Sequence, residues 1–401
     1  MTIKRVPEDF CVEELLGDAL AGEIGSEPGA YALCRLEKRG LTTPGAIGML
    51  ARELGVRAGM VTYAGLKDKH ACTVQYVSVP QGLGGTGVVP QALAGKGWRI
   101  ERVGWLARAL ATSDARGNRF RITVRDLSPQ ADAQMAEAAE LLSERRDDER
   151  TLRFVNYFGD QRFGSARHGQ GFVGRELVLG NFEEALRLSI AVEARKDSRR
   201  QKEFKRAVAA GWGRWTELVR KLPRSPQRRA VEVLAAKKDF RAAFQALPYF
   251  FQQLAVQAYQ SWLWNEIART LIEHACTARG LRIYEGRFGR MAFPAAKSVP
   301  EELARLNLPV LGYKSELIEP WKSAAENVLT HEGLTTQQLR VRGVRRPFFG
   351  EAPRALFVEA NKFELSAPEP ESAAGGRVTR KLSFDLPRGT YATVLLRALG
   401  Q

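Results

Sequence analysis

The sequence predicts an α+β chain in which a helix-rich middle interrupts sheet contributed by both ends. Three observations carry this. Residues 119–125 alternate, with Phe120, Ile122 and Val124 to one side and Arg119, Arg121, Thr123 and Arg125 to the other, the period of a strand with one apolar face. Leu382, Phe384 and Leu386 repeat that alternation near the C-terminal end. From about Arg153 onward helical spacing dominates instead. Sheet that returns after a helical middle is the pattern of one domain inserted within another, and 401 residues of which 44% are apolar suffice for two cores.

In chain order, Thr43 is placed to cap a helix with Pro44 at its first position and Ile47, Leu50, Ala51 and Leu54 along its apolar stripe; Gly55 stops it. Residues 60–64 read as a strand, followed by a loop around Asp68, and residues 73–79 as a second strand. After the alternating run, Ser128 caps a helix that begins at Pro129 and buries Met135, Ala138, Ala139 and Leu142. The middle holds an Arg/Lys-dense stretch over 195–206. It also holds a long buried helix over 249–272 carrying Phe251, Leu254, Tyr259, Trp262 and Leu263. Residues 364–377, with Pro368, Pro370 and paired glycines, read as an exposed loop. Finally Pro387-Arg388-Gly389 turns the chain into a helix with Tyr391, Val394, Leu395 and Ala398 on one face.

Charge narrows the function. Lys and Arg number 61 against 45 Asp and Glu, a formal +16, which favours a polyanionic partner such as nucleic acid. Cys11, Cys34, Cys72 and Cys276 have no C-x-x-C spacing, and His70, His168, His274 and His331 are dispersed. Neither a disulfide framework nor a metal site is expected, and a reducing cytoplasm fits. The N-terminal residues lack an apolar signal core and no apolar run approaches membrane-spanning length. Gly82-Leu83-Gly84-Gly85-Thr86-Gly87 matches G-x-G-x-x-G, but Pro90, Gly95 and Gly97 interrupt the helix that a dinucleotide site needs, so a loop is expected there. No phosphate-binding P-loop is present, and no nucleotide cofactor is expected.

The stretch richest in chemistry is Gly65-Leu66-Lys67-Asp68-Lys69-His70-Ala71-Cys72-Thr73-Val74-Gln75. A carboxylate between two lysines favours its ionised form. It suits a nucleophile or base working near an anionic substrate, although an Asp in such a loop can also do no more than shape a turn. Asn118 and Phe120, in Gly117-Asn118-Arg119-Phe120, read either as a turn entering a strand or as an amide and an aromatic ring that contact a nucleotide. Asn156-Tyr157-Phe158-Gly159-Asp160-Gln161-Arg162-Phe163-Gly164 has no helix or strand period and suits a packed loop at a domain junction.

Taken in order, these segments resemble the TruD family of tRNA pseudouridine synthases. Pro7-Glu8-Asp9-Phe10-Cys11-Val12, Tyr259-Gln260-Ser261 with Asn265, and Leu386-Pro387-Arg388-Gly389-Thr390-Tyr391-Ala392-Thr393 join the three stretches above, so the likeness runs from Pro7 to Arg397. The resemblance implies a pseudouridine-synthase catalytic domain with a mixed, largely antiparallel sheet over residues 1–153 and 343–401. An inserted α/β TRUD domain over 154–342 would interrupt it, with a basic cleft for tRNA. It implies isomerisation of uridine, at position 13 of tRNA, without metal, nucleotide or obligate protein partner. Asp68 is the implied catalytic residue. Asn118, Phe10 and Tyr391 match substrate-contacting positions, Lys4 and Lys67 basic positions near the site, and Phe120 a neighbouring aromatic. Ala398 departs from the acidic residue expected after Arg397. A non-catalytic RNA-binding factor on the same scaffold, or the same activity on another RNA, are the alternative readings.

Overall fold

The alternating run 119–125 is the middle of a thirteen-residue strand, Ala115–Leu127, in the computed structural model. Phe120, Ile122 and Val124 are buried, at 8%, 1% and 0% exposure. The structure describes residues 3–82, 89–146, 149–164, 170–194, 197–276, 280–371 and 376–401. Most of the G-x-G-x-x-G stretch, His168, Arg195 and Lys196 lie outside the described residues.

The chain divides into one unit made of residues 1–154 and 358–401 and a second made of residues 155–357. The first is organised by a twelve-stranded sheet. Its principal order is Ala92–Gly95, Trp98–Leu106, Tyr31–Arg39, Cys72–Pro80, Phe10–Leu16, Ala115–Leu127, Val378–Pro387, Phe357–Leu365, Glu149–Val155 and Ser143–Arg146. Phe10–Leu16 runs parallel to Cys72–Pro80. It runs antiparallel to Ala115–Leu127, which is itself antiparallel to Val378–Pro387. The sheet is therefore mixed and largely antiparallel, as expected for the α+β class.

Three strands from residue 357 onward enter this sheet, Phe357–Leu365, Glu369–Pro370 and Val378–Pro387, so the unit closes only when both ends of the chain are present. Arg119 and Asp385 face each other across the joint. The guanidinium donates Nε and Nη2 to the two carboxylate oxygens at 2.8 and 2.9 Å, the bidentate geometry that makes such pairs strong and directional. Arg380 makes a second fork with Asp132, at 2.6 and 3.0 Å, tying the same strand to the helix Pro129–Leu141.

Several local expectations need correction. The first long helix is Thr43–Glu53, and its N-cap is Thr42, whose hydroxyl accepts from Gly45 N. Thr43 instead turns inward. Residues 60–64 form only the two-residue strand Thr62–Tyr63 after a short turn, Ala58–Met60. Residues 364–377 are not simply a loop, since Phe357–Leu365 reaches into them and Glu369–Pro370 pairs with Val378–Pro387. By contrast Ser128 caps Pro129–Leu141 as anticipated, accepting from Ala131 N.

The second unit is mainly helical, with two two-stranded antiparallel sheets, Leu281–Gly286 with Gly289–Pro294 and Asn307–Val310 with Ala352–Ala355. The latter pairing keeps residues 343–357 in this unit, where the sequence reading draws its boundary after residue 342. The central helix is Tyr249–Ala275. Tyr259 and Leu263 are fully buried, but Phe251 and Leu254, near its start, are 45% and 37% exposed. Its polar residues hold backbone. Gln260 Nε2 donates to the carbonyls of Leu311 and Gly350, at 2.8 and 2.9 Å. Asn265 accepts from Phe158 N and donates to Phe158 O, at 2.8 and 3.0 Å. The aromatics of the Asn156–Gly164 stretch pack: Tyr157, Phe158 and Phe163 are buried, and Arg354 lies over the Phe158 ring at 3.9 Å.

Asn265 satisfies both backbone groups of one buried residue, and an orphaned buried polar group costs its desolvation. Asn265→Ala is expected to lower unfolding free energy by about 2–4 kcal/mol. Urea denaturation at matched m-value checks this; an effect within 0.5 kcal/mol would contradict it.

Candidate active site

Asp68 sits on the face of the first-unit sheet that carries Phe10, Glu14, Lys38, Gln75, Asn118 and Phe120. The register makes this so: Glu14 is opposite Asn118, Phe10 opposite Ile122, and Lys38 opposite Thr73, and side chains two apart share a face. The loop from Gly65 to His70 has no regular structure of its own. It is held by side chains rising from the sheet and the neighbouring helix.

Lys38 is the centre of that attachment. It is 2% exposed, and its Nζ donates to the carbonyls of Leu41 at 2.8 Å, Asp68 at 3.0 Å and Lys67 at 3.4 Å. An ammonium has three hydrogens, so the set is complete. Thr43, freed from capping, accepts from Lys67 N at 3.0 Å and donates to Gln75 Oε1 at 2.8 Å. Gln75 Nε2 then reaches Gly65 O at 3.3 Å. Lys67 Nζ pairs with Glu14 at 2.5 Å, and both side chains are buried. Glu14 also accepts from Tyr76 N.

The lysine in direct contact with the Asp68 carboxylate is therefore Lys4, at 2.6 Å from Oδ2, and not Lys67. His70 N donates to Oδ1 at 3.0 Å. Burial works against ionisation of Asp68, but the Lys4 hydrogen bond, the His70 N–H and the Lys4 charge outweigh it and hold the carboxyl below its ordinary value. The side chain remains 35% exposed, open to a ligand. Leu66, two residues earlier, is 69% exposed and leaves an apolar surface beside it. Burial, the largest effect, lowers the Lys38 ammonium to about 8; the Asp68 charge opposes this and the Lys67 charge reinforces it.

The aromatics fall in a line along the same face. Lys4 Nζ lies 4.1 Å over the Phe10 ring. Phe10 meets Phe120 edge-on at 6.1 Å, and Phe120 stacks on Phe384 at 5.4 Å. Phe10 and Phe120 are 6% and 8% exposed, so packing is the larger part of what they do. Asn118 is different. Its Oδ1 is buried and has no hydrogen-bond partner among the described residues, a costly state that an incoming donor relieves. Gly117 beside it lies against the Leu386 carbonyl, where a Cβ would collide. Tyr391 is half-buried at the N-cap of the helix Ala392–Ala398, five residues beyond Leu386, which is opposite Asn118. The described residues contain no group of three or more His, Cys, Asp or Glu side chains arranged to hold a metal, and none of their helices is long and apolar enough to cross a membrane.

Known proteins resemble this chain over nearly its whole length. The family model for tRNA pseudouridine synthase D (TruD) matches residues 1–399. The chain belongs to the TruD family. Among its relatives, the "Probable tRNA pseudouridine synthase D 2" of Methanocaldococcus jannaschii is 27% identical, over 99% of this chain and 91% of that protein. The tRNA pseudouridine synthase D of Aquifex aeolicus is 29% identical, over 99% and 97%. A solved structure bearing the TruD name, from Methanosarcina mazei, superposes with a TM-score of 0.73 at 24% identity, covering 99% of this chain and 92% of that one. That likeness supports the fold.

For this TruD chain the sequence reading missed Lys38 and Glu14, gave Thr43 a capping role, and included Gln75 in the Asp68 stretch without a role of its own. A signal existed for Lys38. It continues the alternation of the buried Cys34 and Leu36, so a lysine there must bury its amine or break the strand.

Two outcomes are expected. Lys38→Met leaves three carbonyls without their donor, and the amides of residues 65–70 should exchange on the order of ten- to a hundredfold faster. Unchanged exchange, measured by mass spectrometry, would show that the loop does not depend on Lys38. Lys4→Met should raise the Asp68 carboxyl pKa, followed by carbon-detected NMR titration. In the wild type, Asp68 supports folding above its ordinary pKa and loses that contribution as pH falls through its lower folded value; the variant should lose part of this acid stability. An Asp68 titration unmoved by Lys4→Met would contradict the pairing.

Proposed function

We propose that Asp68 is the carboxylate that acts on the ribose in this TruD tRNA pseudouridine synthase, with uridine 13 of tRNA as the target. The activity is an isomerisation of uridine in RNA. The N1–C1′ bond breaks, the uracil turns, C5 bonds to C1′, and the C5 proton leaves as N1 gains one. No electron or phosphoryl group is transferred, so the proposed chemistry calls for no redox or nucleotide cofactor. It needs an anionic oxygen at the ribose, whether to attack C1′ or to take the 2′ proton. It also needs the base out of its stack and kept from water.

The observation that carries the reading is an ionised, partly exposed carboxylate at the tip of a loop held at every turn, on the same sheet face as an unpartnered buried amide oxygen. In this reading Asn118 Oδ1 accepts from the substrate nucleotide. Phe10 and Tyr391 supply ring surface, Phe120 backs Phe10, and Leu66 covers the site. Lys4 keeps Asp68 ionised until phosphate or ribose displaces it. Lys67 acts at one remove, by pairing with Glu14 under the loop. Exposed arginines of the second unit, Arg199 and Arg200 on the helix Arg199–Ala210, supply phosphate contacts.

Asp68→Asn is expected to abolish pseudouridine formation while tRNA affinity stays within about tenfold. Pseudouridine mapping of tRNA after incubation with each purified enzyme measures turnover and position together. Normal turnover by the variant would sink the Asp68 assignment, and modification elsewhere than position 13 would sink the target.

A further inference from the structure

A cavity lies within the 155–357 unit, and its lining has the chemistry of a nucleobase site. Its volume is about 540 Å³, within the range of small-ligand pockets. Phe172, Trp262 and Phe288 supply ring surface to it, and Glu266, Arg287 and Arg290 supply charge. Phe172 and Trp262 lie 5.4 Å apart at 40°. Trp262 stacks on Tyr259 from behind, at 5.9 Å and 10°, and its Nε1 donates to Phe288 O at 3.0 Å. These contacts fix the rings in place before any ligand arrives.

Glu266 is the unusual member. Its side chain is 15% exposed. Oε2 accepts from Arg269 Nε and Nη2 at 3.2 and 3.0 Å, whereas Oε1 has no donor among the described residues. Oε1 instead lies against Gly289, where a Cβ would come within 2.5 Å of it. Gly289 has φ +122, so the glycine both permits this backbone and leaves the oxygen uncovered. Burial raises the Glu266 carboxyl pKa despite the Arg269 charge and hydrogen bonds, as expected of a carboxylate short of donors.

We infer that this cavity binds one unstacked guanine base of the RNA substrate, with Glu266 reading its Watson–Crick edge. Unpaired bases are read by stacking on aromatic rings and by hydrogen bonds to that edge. Guanine alone presents two adjacent N–H donors, N1–H and the 2-amino group, to a carboxylate. Adenine and cytosine each pair an amino donor with a ring-nitrogen acceptor, and uracil flanks its one N–H with carbonyls, so each sets an acceptor against Glu266. Arg287 and Arg290 are exposed at the mouth, where the flanking phosphates of a bound nucleotide would lie. The inference rests on tRNA as substrate and not on the role of Asp68.

The test uses fluorescence anisotropy with labelled hexaribonucleotides, five uridines and one central purine: guanine, hypoxanthine or adenine. The full-length enzyme is expected to bind the guanine hexamer roughly tenfold more tightly than the adenine one, with hypoxanthine, which keeps N1–H and lacks the amino group, between them. Glu266→Gln should reduce that preference to about twofold or less. Glu266→Asp, which keeps the charge beside Arg269 but draws the carboxylate back from the cavity, should do the same and serves if Glu266→Gln folds poorly. Arg287→Ala should weaken all three hexamers alike. A wild-type enzyme that does not distinguish guanine from adenine overturns the assignment, and so does a preference that survives both Glu266→Gln and Glu266→Asp. An active Asp68→Asn enzyme would leave these affinities untouched, so the two readings fail separately.

Discussion

A single buried ammonium holds the Asp68 loop in place. Lys38 spends all three of its hydrogens on the carbonyls of Leu41, Lys67 and Asp68. The loop between Tyr63 and Cys72 has no ladder hydrogen bonds of its own, and a loop left to itself would sample many conformations. Burying a charge is costly, which is why this lysine's pKa falls to about 8. Three convergent carbonyl dipoles offset that cost and convert a strand residue into the anchor of the loop above it. Thr43 and Gln75 fasten the N-terminal half, and the Lys67–Glu14 pair fastens the sheet side. The carboxylate of Asp68 is left to solvent, Lys4 and the His70 N–H.

The anchor works only because the sheet beneath it is complete. Phe10–Leu16 lies between Cys72–Pro80 and Ala115–Leu127, and Ala115–Leu127 needs Val378–Pro387 on its other side. The Arg119–Asp385 and Arg380–Asp132 forks join residues about 250 positions apart in sequence. A sheet assembled from both chain ends cannot form locally, so loop closure opposes it. The aromatic run from Phe10 through Phe120 to Phe384 crosses the same joint and couples the candidate site to the last strand.

The second unit shows how motif residues divide their labour. Gln260 and Asn265, which stand out in the sequence, satisfy buried backbone groups. Trp262 and Glu266 lie on the same helix but face a cavity, and there one carboxylate oxygen is left open. Residues on one helix thus serve the core or a ligand according to the face they occupy.

By itself the sequence determined the α+β class, the alternating strands at 119–125 and 382–386, the Pro129 helix with its Ser128 cap, and the segments that mark the TruD family. These are local patterns, set by side-chain period and turn chemistry, or ordered motifs that survive in one dimension. It also singled out Asp68 and Asn118 as candidates. Tertiary structure decided which lysine meets the carboxylate, because Lys4 comes to it across 64 residues of separation while the adjacent Lys67 turns away to Glu14. It decided that Thr43 holds the loop and Thr42 caps the helix, since two neighbouring threonines differ only in which one faces Gln75. It exposed Phe251 and Leu254 on a helix whose apolar pattern reads as buried throughout, because burial depends on what packs against a face. Sequence names the chemical groups; their partners are chosen by strands and helices that meet only when the chain has folded.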